Sequence, residues 1–548
     1  MAMRTLLSLP IEILLEIITL LPVDSLLTLS RTSHQFNTLC QPHFFSRHNI
    51  SNPSEAFKFR IACTKSSHTV LPTESELLKR KNDPLSGLST AFDIKSVAEF
   101  LVIFHDCDSS HPTAAKLKPY WKLLRVLERL KCINKLTIGF DYWYFDNQGS
   151  MDRELTMQTK QVVTGLLNVA LERGCEAFTI QNSDLFQMPP LFDKVGWAWA
   201  CHTAKYLNVL RRPAERAIIP YAPLPKEDTI DFIPLLESAR KASKVQHLVI
   251  SASMMLYPPC SYWTYSVLDT PNLTSLTLYR VHLPTEYWVT TLSWLIHPLK
   301  NKLLDFALMH SSEVPIEPLI TFVTNLTVLT HLKIILFTSS LRNHAPLKRG
   351  LGAKGNILPS LVSFESYPDW IALLCPHSIP RPHLTSLEII PRDKFDYGKS
   401  IEDLRPALTH PMFLPSNRNP ELRITLNLHA CGYTTSQFEE DIKAYMDPTV
   451  RTNLGASIYE SVTHLMIRLR VFPPKLVGTP EVICQFLAWW KNLECVEFFS
   501  VVKVWNETWA DVWTKEKIER FLKETRKGCP SMKKVILNEE EYDVCGAV

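Results

Sequence analysis

The sequence predicts an α/β chain: three short N-terminal helices, then a long parallel sheet built by repetition. Three observations carry this. Residues 6–41 read as three capped helices with an unusually wide apolar arc. A fragment of the type L-x-x-L-x-L recurs through the rest of the chain. Helix-like segments precede many of its copies, and helix, loop and strand in repeated succession marks a parallel solenoid.

The opening run, "LLSLPIEILLEIITLLPVDSLLTLS", is too interrupted for a membrane span or a signal peptide, because Pro10, Glu12 and Glu16 break it. Pro10 suits the first turn of a helix, and Glu12 then lies at the positive end of its dipole. The helix can run to Leu21 and stops near Pro22. Between Ile11 and Leu21 only Glu12, Glu16 and Thr19 are polar, and at 100° per residue they fall within about 60° of one another. Asp24 is expected to N-cap a second helix through Leu26, Leu27 and Leu29. Ser33 is expected to cap a third through Phe36 and Leu39, ended by Pro42. A unit of about 40 residues cannot bury so wide an arc by itself. Two readings follow: the helices dock on the large domain behind them, or they form a surface for a partner.

"LPIEILLEIITLLPVDSLLTLSRTSHQFNTLC" resembles an F-box, the three-helix module that binds the Skp-type adaptor of cullin-based ubiquitin ligases. The matching features are Leu9-Pro10, Glu12, Ile13-Leu14, Ile17, Leu21-Pro22, Asp24, the Leu26 and Leu29 spacing, and the Ser33 to Phe36 tail. The continuation "LCQPHFFSRHNI" is similar to the run that follows the motif in fungal members. The resemblance implies adaptor contacts at Leu9, Pro10, Ile13, Leu14, Ile17, Leu21, Leu26 and Leu29. Ser30-Arg31-Thr32 departs from the more apolar pair found in many members, a change expected to weaken adaptor affinity without altering the fold.

The recurring fragments are "INKLTIGF" from Ile133, "VQHLVI" from Val245, "LTSLTLYRV" from Leu273, "LTHLKIILF" from Leu329, "LTSLEII" from Leu384, "LRITLNL" from Leu422, "VTHLMIRLRVF" from Val462, "LECVEFF" from Leu493 and "MKKVIL" from Met532. Each alternates as a strand does, and weaker copies centre on Phe178, Phe306 and Phe364. Helical segments begin at Tyr120, Val162, Asp231, Pro480 and Lys515. Taking Leu248, Leu276, Phe306, Leu332, Phe364 and Leu387 as equivalent gives steps of 28, 30, 26, 32 and 23 residues, at or near leucine-rich-repeat lengths. The expected fold is therefore an N-terminal three-helix F-box followed by an irregular leucine-rich-repeat-like α/β solenoid. The expected bounds are 1–50 for the F-box, with its core at 6–41, then 51–116 for a linker and the start of the second domain, and 117–548 for the solenoid with insertions. An α/β domain of unrelated strands is the alternative.

In such an array the Leu positions point inward and the alternate positions form the face that meets partners. Lys135, Thr137, Thr277, Tyr279, Lys333, Glu388, Thr425 and Glu497 are the candidates for a substrate face. No charge sign dominates them, and the net charge of +4 over 548 residues gives no reason to invoke nucleic acid or an anionic membrane. The 13 cysteines include no C-x-x-C pair, so a reducing compartment, cytoplasm or nucleus, is expected.

Motifs for chemistry are sparse. Gly350, Gly352 and Gly355 fit G-x-G-x-x-G, but Pro359 spoils the helix that a dinucleotide site requires, and a basic loop is the better reading. His105, Asp106, Cys107, Asp108 and His111 lack a second ligand pair and read as a polar loop. Trp505, Trp509 and Trp513 form one helical stripe, read as core with a docking surface as the alternative. The tail "NEEEYDVCGAV" is expected to fray. No catalytic residue, cofactor or metal is expected. The partners expected are the Skp-type adaptor, cullin through it, and a protein substrate. A repeat scaffold with a structural helical cap and an enzyme with a pocket in the large domain are the rivals.

Overall fold

The computed structural model describes residues 9–63, 83–106, 114–140, 153–182, 233–256, 260–336, 358–375, 383–390, 421–430, 456–469, 480–500, 515–537 and 540–544, with positions 443, 446 and 448. It is α/β, with N-terminal helices followed by strands that alternate with helices, as in a solenoid-like repeat.

Helix α1 spans Ile11–Leu20, with Pro10 at its N-cap and Glu12 in its first turn. Helix α2 spans Val23–Ser30. Its N-cap is Pro22, not Asp24. Asp24 is the second residue of the helix, in its first turn, where its carboxylate still faces the positive end of the dipole. Helix α3 spans His34–Ser46, and the Ser33 hydroxyl accepts the Phe36 N–H at 3.2 Å, as a capping serine should. Pro42 does not end α3 but lies inside it. An internal proline costs about 3 kcal/mol. The turn beyond it buries Phe44 and Phe45 completely, and two such burials yield roughly 3–6 kcal/mol together, enough to carry the helix through.

The chain divides into two compact units, residues 1–303 with 311–322, and residues 304–310 with 323–548. In the first unit six strands follow in chain order, each parallel to the next: β1 (Ala56–Cys63), β2 (Ser96–Asp106), β3 (Cys132–Phe140), β4 (Ala177–Asn182), β5 (His247–Ser251) and β6 (Ser275–Tyr279). The ladder thus begins at Ala56, within the stretch expected to hold a linker. Its helices are α4 (Pro84–Thr90), α5 (Ala114–Arg129), α6 (Arg153–Glu172), α7 (Glu237–Ala242), α8 (Ser261–Leu268) and α9 (Thr285–Leu299). Helix α10 (Ile316–Thr324) follows, as do β7 (Asp305–Met309), β8 (His331–Ile335), β9 (Ser363–Ser366), α11 (Pro368–Leu374), β10 (Ser386–Ile389), β11 (Arg423–Ala430), α12 (Ala456–Ser461), β12 (His464–Leu469), α13 (Pro480–Leu487), β13 (Cys495–Ser500), α14 (Lys515–Gly528), β14 (Lys534–Leu537) and β15 (Glu540–Asp543).

In the second unit β7 to β14 form a parallel ladder and β15 closes it antiparallel to β14. The acidic tail is therefore not frayed over Glu540–Asp543. Lys534 pairs with Glu541 at 2.5 Å, and Val544 is fully buried.

Register confirms the repeat within each unit. Phe57, Phe100, Leu136, Phe178, Leu248 and Leu276 are successive strand partners in the first. Phe306, Leu332, Phe364, Leu387 and Ile424 are so in the second. All are buried, as stacked positions of a solenoid core must be. The turns repeat as well. The Gln246 carbonyl accepts the N–H groups of Thr274 and Ser275, the Leu304 carbonyl those of Thr330 and His331, and the Glu494 carbonyl those of Lys533 and Lys534. Just before these turns, a short polar side chain donates to the carbonyl of the preceding repeat. Asn272 reaches Ser243 O at 2.9 Å, Ser360 reaches Thr327 O at 3.4 Å, Asn492 reaches Glu460 O at 2.7 Å, and Ser531 reaches Lys491 O at 3.0 Å. One rung thus recurs with different residues, satisfying carbonyls that the loops would leave unpaired.

Candidate functional site

Helix α1 divides its apolar arc. Leu14 and Ile18 are each 1% exposed and belong to the core with α3. Ile13, Ile17 and Leu20 follow at i, i+4 and i+7, one stripe on another side of the helix. Ile13 is 44% and Leu20 84% exposed, Ile17 is half-buried, and Leu9 just before the helix is 38% exposed. Pro10 is exposed, and Leu21 and Leu29 are half-buried. Two residues expected to contact an adaptor are therefore placed elsewhere: Leu14 and Leu26 are core residues with no surface to offer. Sequence reasoning missed Leu20 and Ile11, which is 49% exposed. The signal for Leu20 was its spacing of seven from Ile13.

The stripe is held rigidly. The Arg47 guanidinium, at the end of α3, donates to Thr19 O at 2.6 Å, which places a cation on the carbonyl end of α1. Helix α3 is fixed in turn by α4. The buried Asn37 amide donates to Ser30 O at 3.0 Å and to Thr90 O at 2.8 Å. Gln41 donates to Gly87 O at 3.3 Å and to the Thr90 hydroxyl at 3.1 Å. A Cβ at Gly87 would lie 2.2 Å from the Phe44 ring, so only glycine lets these helices approach so closely. Helix α5 clamps both ends of α4. Lys122 binds the N-cap carboxylate of Asp83 at 2.6 Å, and Arg129 donates to the carbonyls of Leu88 and Ala91. Within this core burial pushes the Cys40 thiol up to about 11, leaving it protonated at neutral pH.

The candidate substrate residues fall on the sheet faces, opposite the buried alternation. In the first unit Thr137 and Thr277 share one row through Thr179 and Val249. Lys135 lies two residues before Thr137, between Glu99 and Ala177. Tyr279 ends β6 with the Arg280 guanidinium 5.2 Å over its ring. In the second unit Lys333, Glu365, Glu388 and Thr425 are consecutive partners in one row. Lys333 pairs with Glu365 at 2.5 Å, and Asn427 donates to the Glu388 carboxylate at 2.7 Å. Glu497 belongs to the row of Asn427 and Met466. Three of the eight candidates, Lys333, Glu388 and Thr425, are thus brought together. Glu365 and Asn427, which join them, were missed because nothing in their residue type marks a face position. His464 extends that row next to Thr425, where burial, then the Arg423 charge, lowers it to about 4.

Among the described residues no group of His, Cys, Asp and Glu is arranged to hold a metal, and no helix is long and apolar enough to cross a membrane. The glycine loop at 350–355, positions 107–111 and the tryptophans at 505–513 lie outside the described residues, and His105 and Asp106 end β2.

Comparison with curated proteins finds no match for the chain. Residues 6–51 match the family model described as F-box-like, a span that contains all of α1, α2 and α3. The three helices, the exposed stripe and this match agree: residues 6–51 form an F-box-like domain.

Proposed function

We propose that the protein is the substrate-recognition subunit of a Skp/cullin/F-box ubiquitin ligase. An F-box-like domain indicates adaptor binding of this type, and such domains are generally non-catalytic. The observation that carries the reading is the apolar stripe of α1, with Leu9, Ile13 and Leu20 exposed and Ile17 half-buried between them, tied at its end by Arg47. Burying a large aliphatic side chain yields roughly 1.5–3 kcal/mol, and association costs about 4–15 kcal/mol. Leu21 and Leu29, both half-buried, would supply part of what the four leave short. Cullin joins through the adaptor. The repeat faces, with the row from Lys333 to Thr425 foremost, present a protein substrate in the cytoplasm or nucleus. The subunit supplies proximity, raising the local concentration of a substrate lysine near the charged ubiquitin carrier. No nucleic acid or membrane partner is invoked.

A second reading, a repeat scaffold whose helices cap the array, is favoured by the buried ties of Asn37 and Gln41 to α4. Titration of the full chain with a purified Skp-type adaptor separates the two. Leu9→Ala with Pro10→Ala is expected to weaken binding strongly. Unchanged affinity sinks the ligase reading and leaves the cap.

A further inference from the structure

The row of the second unit that runs from Lys333 through Glu365 and Glu388 to Thr425 holds two carboxylates and one lysine. Lys333 pairs with Glu365 at 2.5 Å. Glu388 is joined to Asn427, whose amide nitrogen donates to the carboxylate at 2.7 Å. A carboxylate only accepts, so this contact fixes the amide: Nδ2 faces Glu388 and Oδ1 is turned away from it. Asn427 is 0% exposed, and its Oδ1 has no hydrogen-bond partner among the described residues. His464, beside Thr425, is neutral at neutral pH because burial lowers it to about 4, so it adds no charge to the row. Arg423, the one arginine or lysine of β11, flanks Ser386, two residues before Glu388.

A buried acceptor left without a donor is costly, and an apolar side chain at this place in β11 would avoid the cost. The acceptor lies one hydrogen bond away from a carboxylate, so the group that suits both is a cation with more than one N–H. A guanidinium offers five donors in a flat, fixed fork, whereas an ammonium is a compact and strongly hydrated point charge. Glu388, Thr425 and Met466, the strand partner of Asn427, are each half-buried. They leave a way in from the face, and Thr425 and Met466 can flank an aliphatic stem. We propose that Glu388 and Asn427 form a subsite for an arginine side chain of the protein substrate, which donates one N–H to the Glu388 carboxylate and another to Asn427 Oδ1. The proposal rests on the reading above that this row presents a substrate.

The probe is an array of acetylated nonapeptides, each made with arginine, lysine or citrulline at its centre, screened and then titrated against the purified full chain. Citrulline keeps the shape of arginine without its charge. The tightest arginine peptide is expected to bind about tenfold or more tightly than its citrulline copy, and more tightly than its lysine copy. Glu388→Gln is expected to erase that preference, and Asn427→Leu to weaken arginine binding. Hydrogen exchange of the unsubstituted chain, which does not depend on how a variant folds, is expected to slow in β10 and β11 when the arginine peptide is added. An array with no arginine-preferring peptide, a preference that survives Glu388→Gln, or unchanged exchange in both strands overturns the proposal. A lysine copy that binds as well as arginine overturns the guanidinium assignment. Titration with a Skp-type adaptor separates the failures. If the adaptor binds through Leu9 and Pro10 and the peptides fail, only this subsite falls. If the adaptor does not bind either, the ligase reading falls with it.

Discussion

Helices α1 and α14 use the same kinds of residue to opposite ends. Helix α14 places Ile518, Phe521, Leu522 and Thr525 at i, i+3, i+4 and i+7, and all four are buried. Its other faces carry charges, some paired, such as Lys527 with Glu524 at 2.9 Å and Arg520 with Glu481 at 3.2 Å. Helix α1 also has a buried pair, Leu14 and Ile18, but keeps a second apolar stripe in water. One apolar face is enough to seat a helix on its own protein. A second one, on a helix already seated, is the surface that the proposed adaptor binding would use.

If that difference is real, changes in α14 act on stability and changes in the α1 stripe act on binding. The largest expected effect is Phe521→Ala, a loss of about 3–5 kcal/mol by chemical denaturation, with adaptor affinity unchanged at low denaturant. An equal loss of adaptor affinity would blur the comparison. Gly87→Ala comes next. Its Cβ collides with the buried Phe44 ring, and overpacking of this kind costs about 1–3 kcal/mol. The calorimetric midpoint should fall and hydrogen exchange in α3 should quicken.

A pH effect on the second unit is smaller. His464 has its folded pKa lowered to about 4, chiefly by burial, whereas the unfolded side chain titrates near 6.5. Between these values the unfolded state binds more protons, so the neutral-state stability is present above about pH 6.5 and is lost as pH falls toward 4. His464 is partly exposed, which discounts the effect to on the order of 1–2 kcal/mol. Denaturation curves across that window should lose part of their slope in His464→Gln. The smallest effect is Leu20→Ala on stability, within about 0.5 kcal/mol, since the side chain is 84% exposed.

Much of the repeat was legible because a strand in a solenoid must place one face in the core. That requirement writes L-x-x-L-x-L directly into the chain, and the residues read as equivalent prove to be register partners within each unit. The rung through Asn272, Ser360, Asn492 and Ser531 was harder to see, since two residue types serve it. Strand β15 was hidden because "EEYD" is polar throughout and is held by its backbone pairing with β14. In α1 the resemblance supplied the spacing of contacts but not their direction. An arc that is apolar nearly all round cannot say which part turns inward, and Leu14 was therefore grouped with Ile13. The extension of α3 past Pro42 needed knowledge of what Phe44 and Phe45 bury against.

The most direct test of the account measures binding and stability on one variant, Ile13→Ala with Leu20→Ala. The account predicts that affinity for a Skp-type adaptor falls by about a hundredfold or more, from roughly 1.5–3 kcal/mol lost at each site, while the thermal midpoint stays where it was. Retained affinity, or a midpoint that falls as it does for a core substitution, would contradict it.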